Sequence, residues 1–232
     1  MRAMILAAGR GERMRPLTDS LPKPLLLLGG KSLIAWHLEA LARAGFADVV
    51  VNLSWQGQLL RASLGDGRQF GLRIHFSDEG ATALETGGGI FRALPLLGSD
   101  PFVVINGDVW TDFDHAQWAS VARDAASTTL AHLVLVPNPP QHPHGDFALV
   151  RGAIQFDTPQ RFTFSGLGLY RPAFFSGCQD GKFPLLPLLR RAADAHALRG
   201  QIYQGAWHDI GTPQRLQELD QELRAGQSVQ SR

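Results

Sequence analysis

The stretch Met4-Ile5-Leu6-Ala7-Ala8-Gly9-Arg10-Gly11-Glu12-Arg13-Met14-Arg15-Pro16 runs from an apolar segment straight into a loop of glycine and arginine. Met4 to Ala8 is short, apolar and closed by Gly9, the pattern of a buried strand. Small residues at its end let a ligand approach the backbone closely. Successive N–H groups there can cradle phosphate oxygens. Arg13 adds a planar fork that matches a phosphate, and Lys23, held between Pro22 and Pro24, adds a point charge on a stiffened backbone. Two commoner phosphate motifs fail. The dinucleotide fingerprint needs glycine where Met14 stands, and Gly30-Lys31-Ser32 lacks the P-loop glycine, because Leu25 occupies its position.

Outward from this stretch, helix and strand patterns alternate. Ser32 to Ala44 has helical spacing with Gly45 as its stop, Asp48 to Leu53 reads as a Val-rich strand, and Gln56 to Leu64 as a helix. Leu72 to Phe76 is a third strand, Ile90 to Leu97 a helix after three glycines, and Phe102 to Ile105 a fourth strand. This alternation predicts βαβ crossovers and a mostly parallel central sheet flanked by helices, a Rossmann-like α/β fold. Ligands in such sheets bind at the carboxyl ends of strands, so the loops after Ala8 and Ile105 belong to the site edge. The second half reads as a strand over Thr129 to Val136, a Pro/His-rich loop over Asn138 to Gly145, and a hairpin over Phe147 to Phe156. A strand over Phe164 to Tyr170, a helix over Phe183 to Ala195 and a short strand at Ile202-Tyr203 follow. A last helix starts at Thr212 as N-cap with Pro213 first. The expected organisation is one domain over 1–226, with a nucleotide half to about 112, a sugar half from about 113, and a loose tail at 227–232.

Composition excludes other classes. Hydrophobic residues at 44% allow a substantial core, and a net charge of +1 argues against a general nucleic-acid binder. The single cysteine, Cys178, rules out an intrachain disulfide and fits a reducing compartment, hence a cytoplasmic protein. No apolar run approaches the roughly 20 residues of a membrane span, and the opening apolar stretch is too short for a signal peptide.

Asn106-Gly107-Asp108 follows an apolar strand, so Asp108 is expected at the sheet edge, where a carboxylate suits a hard cation such as Mg²⁺ bound with phosphates. Asp112-Phe113-Asp114 offers a competing Asp-x-Asp metal reading, but Asp114 is more simply a helix N-cap. His142 and His144 lack the further ligands of a zinc site and are read as loop residues, and His208 as a surface or supporting residue.

Leu6 to Pro24 resembles the signature of sugar-phosphate nucleotidyltransferases, LAAGxGxRxxP followed by PKP. The resemblance continues through Gly29-Gly30-Lys31, Asn106-Gly107-Asp108 and Trp207-His208-Asp209-Ile210-Gly211-Thr212-Pro213. Glu85-Thr86-Gly87-Gly88-Gly89-Ile90, Gly145-Asp146-Phe147 and Phe162 to Tyr170 resemble the variant found in N-acetylmuramic acid 1-phosphate uridylyltransferases. Membership implies a Rossmann-like domain and transfer of UMP from UTP to a sugar 1-phosphate. It implies catalytic roles for Arg13, Lys23 and Asp108, and nucleotide contacts from Ala7, Ala8, Gly9, Gly11, Arg13, Lys23, Glu79, Glu85, Thr86 and Gly87. Sugar contacts would come from Asn106, Asp146, Ser165 and Gly166, and a Mg²⁺ site from Asp108 and Asp209. The implied partners are two small molecules, with no nucleic acid and no membrane, on a monomer or small homo-oligomer. One family element is missing: the Glu-Lys-Pro lysine that contacts the sugar phosphate has no counterpart, and Val150 to Arg161 offers only Arg151 and Arg161 as cations. Thymidylyl or guanylyl transfer to glucose or mannose 1-phosphate is the nearest alternative, and a non-catalytic nucleotide-sugar sensor the alternative of another class.

Overall fold

The computed structural model describes residues 1–156 and 158–230. Along the chain run β1 (Ala3–Leu6), β2 (Leu27–Leu28), β3 (Lys31–Ser32), α1 (Leu33–Arg43), β4 (Asp48–Leu53), α2 (Gly57–Leu64), β5 (Arg73–Asp78), α3 (Glu85–Leu97) and β6 (Phe102–Asn106). The second half adds β7 (Val109–Thr111), α4 (Gln117–Asp124), β8 (Ala131–Val136), β9 (Ala148–Val150), β10 (Ala153–Gln155) and β11 (Thr163–Tyr170). It ends with α5 (Leu186–Asp194), β12 (Leu198–Ile202), β13 (Trp207–Asp209) and α6 (Pro213–Gln230).

A nine-stranded sheet, in the order β5-β4-β1-β6-β11-β8-β12-β10-β9, joins both halves. The strands β5, β4, β1 and β6 are mutually parallel, as the alternating pattern predicts, while β11 runs antiparallel between β6 and β8. Period-2 alternation sends the apolar side chains of one strand to opposite faces. On one face Ile5, Val49, Val51, Val103 and Ile105 pack with Ile34, Leu38 and Leu41 of α1, Leu60 and Leu64 of α2, and Trp118 of α4. On the other, Met4, Val50, Phe102 and Val104 meet Ile90, Ala93 and Leu97 of α3 and Leu188, Leu189 and Ala192 of α5. Each fully buried side chain of this size stabilises by about 1.5–3 kcal/mol, which explains why these strands carry so little polarity.

A third apolar cluster positions the site. Met14, Leu26, Leu28 and Leu33 pack with Ile210, Leu216 and Leu219. The opening loop is thereby clamped to the last helix, and the first and last sequence motifs become neighbours.

Four expectations are corrected. First, α3 begins at Glu85, so the three glycines lie inside the helix. Propensity disfavours this, but close packing requires it: an added Cβ would sit 2.6 Å from the Phe183 ring at Gly87, 2.2 Å from the Gly181 carbonyl oxygen at Gly88, and 2.5 Å from Glu79 Oε1 at Gly89. Second, α5 starts at Leu186 rather than Phe183, because the Phe183 backbone bonds instead to Leu84 and Gly88. Third, the short strand expected at Ile202-Tyr203 is a five-residue strand, Leu198–Ile202, because it pairs with β8 along its whole length, and Trp207–Asp209 adds a further strand paired with β7. Fourth, α6 continues to Gln230 where a loose tail was expected; Ser231 and Arg232 lie outside the described residues.

Candidate active site

The carboxyl ends of β1 and β6 lie side by side. Leu6 pairs with Asn106 in the parallel ladder, and the Gly107 N–H donates to the Leu6 carbonyl at 2.9 Å. Asp108 therefore emerges beside Ala7 and Ala8. The ribbon of β7 and β13 sets Asp209 opposite Val109, and the Ile210 N–H donates to the Asp108 carbonyl at 2.9 Å. Two aspartates distant in sequence thus flank one end of one ribbon and line the same cavity.

His37 supports this arrangement from below. It is buried on α1 with its Nε2 2.8 Å from the Val109 carbonyl, and burial pushes its pKa down to about 4. The neutral ring donates to that carbonyl, fixing the strand that starts one residue after Asp108.

Cations meet the carboxylates. Lys23 is only 7% exposed, and its Nζ lies 2.8 Å from Asp108 Oδ2. Arg215, in the first turns of α6, forms an ion pair with Asp209 through Nη1. Arg13 is exposed and lines the cavities on both sides of Asp108.

Three adjoining cavities meet at Asn106, which lines them all. The first, about 520 Å³, contains Ala7 to Arg13, Lys23, Glu79, Glu85 and Thr86. Its floor is a buried polar chain. The Ala7 N–H donates to Asn52 Oδ1 at 2.6 Å, Asn52 Nδ2 donates to Glu79 Oε1 at 2.6 Å, and the Leu84 N–H donates to Glu79 Oε2 at 2.7 Å. Both Glu79 oxygens are thus engaged in joining β4, β5 and the approach to α3. The second cavity, about 400 Å³, holds Arg13, Asp108, Asp209 and Arg215 together with His142 and Gly166. The third, about 430 Å³, is bounded by Asp146, Phe147, Phe164 and Leu186.

Most residues expected from the sequence converge on these cavities. Gly87 does not line them; it is packed against Phe183 behind the wall. The Ser165 hydroxyl donates to the Val134 carbonyl at 2.7 Å, within a β-bulge between Phe164 and Leu167. Gly166, at φ +81°, packs against the Asn106 side chain. Asp146 accepts from the Phe164 N–H at 2.8 Å and lies 3.1 Å from His142 Nε2. In the Asp-x-Asp segment, Asp112 accepts from the Tyr203 hydroxyl and Asp114 from the Ala116 N–H at 2.9 Å, so both serve local structure. Arg151 sits in the β9–β10 turn and Arg161 donates to the Thr158 carbonyl; neither lines any of these three cavities.

Two participants were missed. Asn52 had a signal, a lone amide within the apolar run Val49 to Leu53. Arg215 had none, because an arginine in the first turns of a helix is ordinary. The carboxylates of Asp108 and Asp209 are hard oxygen donors of the kind Mg²⁺ takes together with substrate phosphates and water. Among the described residues no group of three or more His, Cys, Asp or Glu could hold a metal alone, so ligands from substrate would have to complete the shell.

A family profile described as Nucleotidyl transferase matches residues 2–152. The chain is 49% identical over 222 residues to an N-acetylmuramate alpha-1-phosphate uridylyltransferase of Neisseria meningitidis serogroup B, covering 94% of this chain and 96% of that one. It is 36% identical to a protein of the same description from Caulobacter vibrioides, over 91% and 92% of the two chains. Among solved structures, a Bacillus anthracis protein in complex with a sucrose superposes with a TM-score of 0.85 at 21% identity, over 97% of this chain and 95% of that one. The HddC protein of Yersinia pseudotuberculosis superposes with a TM-score of 0.76 at 20% identity, over 95% and 98%. These two likenesses speak to the fold alone.

Proposed function

The chain belongs to the nucleotidyl transferase family, and on that premise we propose that it transfers UMP from UTP to N-acetylmuramic acid 1-phosphate, releasing pyrophosphate. The observation that carries the reading is the convergence of Arg13, Lys23, Asp108 and Asp209 on one sheet edge. The 49% identity to a uridylyltransferase of this substrate supports the choice of base and sugar.

A phosphate oxygen of the sugar 1-phosphate attacks the α-phosphorus of UTP in line, forming the new P–O bond. The bond from the α-phosphorus to the bridging oxygen breaks, and pyrophosphate leaves with that electron pair. The attacking oxygen is already anionic, so no protein base is required. Two anions must meet, and the protein's task is positioning and charge stabilisation. The small residues Ala8, Gly9 and Gly11 let the triphosphate approach the backbone. Arg13 spans the two cavities and neutralises charge around the α-phosphate. Lys23, held at its base by the Pro-Lys-Pro turn, meets charge near Asp108. Glu85, Thr86 and the Glu79-braced turn face the base, while Asn106, Asp146 and the Ser165–Gly166 bulge border the sugar. Mg²⁺, held by Asp108 and Asp209, would supply electrostatic stabilisation of the phosphates.

The remaining expectations stand as part of the proposal: a single domain over 1–226 and a cytoplasmic enzyme of small molecules, monomeric or a small homo-oligomer. No helix among the described residues is long and apolar enough to cross a membrane. The test is a panel of nucleoside triphosphates against sugar 1-phosphates, read by pyrophosphate release with and without Mg²⁺. Preference for UTP with N-acetylmuramic acid 1-phosphate is expected. Preference for dTTP or GTP would overturn the uridylyl assignment, and nucleotide-sugar binding without turnover would favour a sensor.

A further inference from the structure

The missing lysine of the sugar-phosphate site leaves a charge requirement with no obvious owner. Arg151 and Arg161, the cations of the corresponding stretch, are not among the residues that line the three cavities, and the Arg161 guanidinium is turned to the Thr158 carbonyl. The second cavity, on the far side of Asp108 from the nucleotide loop, holds two arginines, Arg13 and Arg215. Arg215 is engaged with Asp209, and its Nε lies 3.4 Å from Thr212 Oγ1. Its side chain is 23% exposed, so it reaches the cavity from the wall rather than from solvent.

Arg215 and a divalent cation would compete for Asp209. Both are positive, and a carboxylate that binds a metal gives up much of its attraction for a neighbouring guanidinium. Once freed, the guanidinium stays tethered to α6 at the edge of the same cavity. A phosphate monoester is the ligand its planar fork matches best. Resting on the proposed activity, we infer that Arg215 is the sugar-phosphate cation of this protein: it pairs with Asp209 in the free state and turns to the phosphate of the sugar 1-phosphate when the metal arrives. The ion pair thus stores the cation at the site and keeps Asp209 from standing as an unpaired carboxylate beside Asp108, where the two would repel.

Binding measurements on the full chain test this. Calorimetry with N-acetylmuramic acid 1-phosphate, in the presence of Mg²⁺ and a non-hydrolysable UTP analogue, should show affinity reduced roughly 10–100-fold in Arg215→Gln, as expected for a lost charge-assisted contact. The unphosphorylated sugar should bind both proteins equally, and the UTP analogue alone should bind both equally. Mn²⁺ affinity, read by electron paramagnetic resonance without sugar phosphate, should rise in Arg215→Gln because the competitor for Asp209 is gone. Arg215→Lys, which keeps the charge and loses the fork, should fall between the two in sugar-phosphate affinity, and it serves as the comparison if Arg215→Gln melts early. Unchanged sugar-phosphate affinity with weakened Mn²⁺ binding would overturn the inference, making Arg215 a holder of Asp209 only. Failure of the wild-type chain to bind either substrate would overturn the activity reading, and this inference with it; wild-type binding matched by both variants would overturn this inference alone.

Discussion

The wall from Ala7 to Gly89, proposed for the nucleotide, is braced by a continuous chain of buried polar side chains bonded to the main chain, whereas the wall from Asn106 to Arg215, proposed for the acceptor, combines main-chain bonds with partly exposed ion pairs. On the first wall Asn52 and Glu79 are buried and bonded to the backbone of Ala7 and Leu84. Three glycines let α3 pack against Phe183, Gly181 and Glu79 at distances no side chain would permit. On the second wall Arg215 holds Asp209, His142 lies against Asp146, and Lys23 reaches across to Asp108. A wall of satisfied buried polar groups is rigid and costly to disturb. Ion pairs that are partly exposed contribute little stability and exchange partners readily. The nucleotide wall is therefore suited to presenting a fixed surface, and the acceptor wall to reorganising when charge arrives.

Substitutions on the two walls should separate activity from stability. The largest effect is expected at the proposed metal pair, Asp108 and Asp209. Asp108→Asn and Asp209→Asn should each abolish Mg²⁺-supported turnover; the melting temperature should shift little in Asp209→Asn, whose salt bridge is partly exposed at both ends, and more in Asp108→Asn, which takes the charge partner from the buried Lys23. A large loss of melting temperature with kcat retained would make Asp209 a structural residue at the entry to α6.

Next in size are the loop cations. Arg13→Ala and Lys23→Ala should lower kcat/KM by about 2–4 kcal/mol of transition-state stabilisation, the scale of an essential electrostatic contact. Steady-state kinetics would check this, and near-normal kcat/KM in both would remove the phosphate-loop role. Lys23→Ala should also weaken the fold somewhat more than Arg13→Ala, because Lys23 is buried and paired while Arg13 is exposed.

The nucleotide wall can be broken through packing. Gly88→Ala would drive a methyl to 2.2 Å from the Gly181 carbonyl oxygen. Because that neighbour is backbone, the cost should be about 1–3 kcal/mol, as for overpacked cores. Denaturant unfolding would measure it, and an unchanged midpoint would mean that the segment around Gly181 yields freely.

The smallest effect concerns pH. The folded-state pKa of His37 is pushed down to about 4 by burial, and that of buried His115 to about 3. The unfolded chain therefore takes up these protons first, and stability should fall as pH drops from about 6.5 towards 4 and 3. His37→Gln keeps a donor for the Val109 carbonyl and removes the titration. Its acid unfolding curve should be shallower over that window, and an unaltered slope would assign the acid sensitivity elsewhere.

The difference between the walls also explains which parts were legible beforehand. The opening loop is local: strand, small residues, Arg13 and the Pro-Lys-Pro turn follow one another within a few turns of chain, so their chemistry could be read in order. The parallel half of the sheet was legible for a similar reason, since alternating apolar runs and helical spacing need little context. The boundary of α3 was not. Glycine is read as a helix breaker, and only the crowding by Phe183, Gly181 and Glu79 explains a helix that holds three of them in its first turns. The strand at Trp207–Asp209 was hidden because three residues acquire strand geometry only from their partner, β7.

By itself the sequence determined the alternating α/β framework, the order of small and cationic residues from Ala7 to Lys23 on which the proposed phosphate loop rests, and the presence of acidic residues of the type that suits a divalent cation. Only the tertiary structure decided that Asp209 stands beside Asp108, that Asn52 braces the nucleotide loop, and that Arg215 reaches the acceptor cavity. Local patterns record the solvation and backbone preferences of neighbouring residues. Which distant side chains meet depends on sheet order and on the burial of Met14 and Leu28 against Leu216 and Leu219, and those are properties of the packed whole.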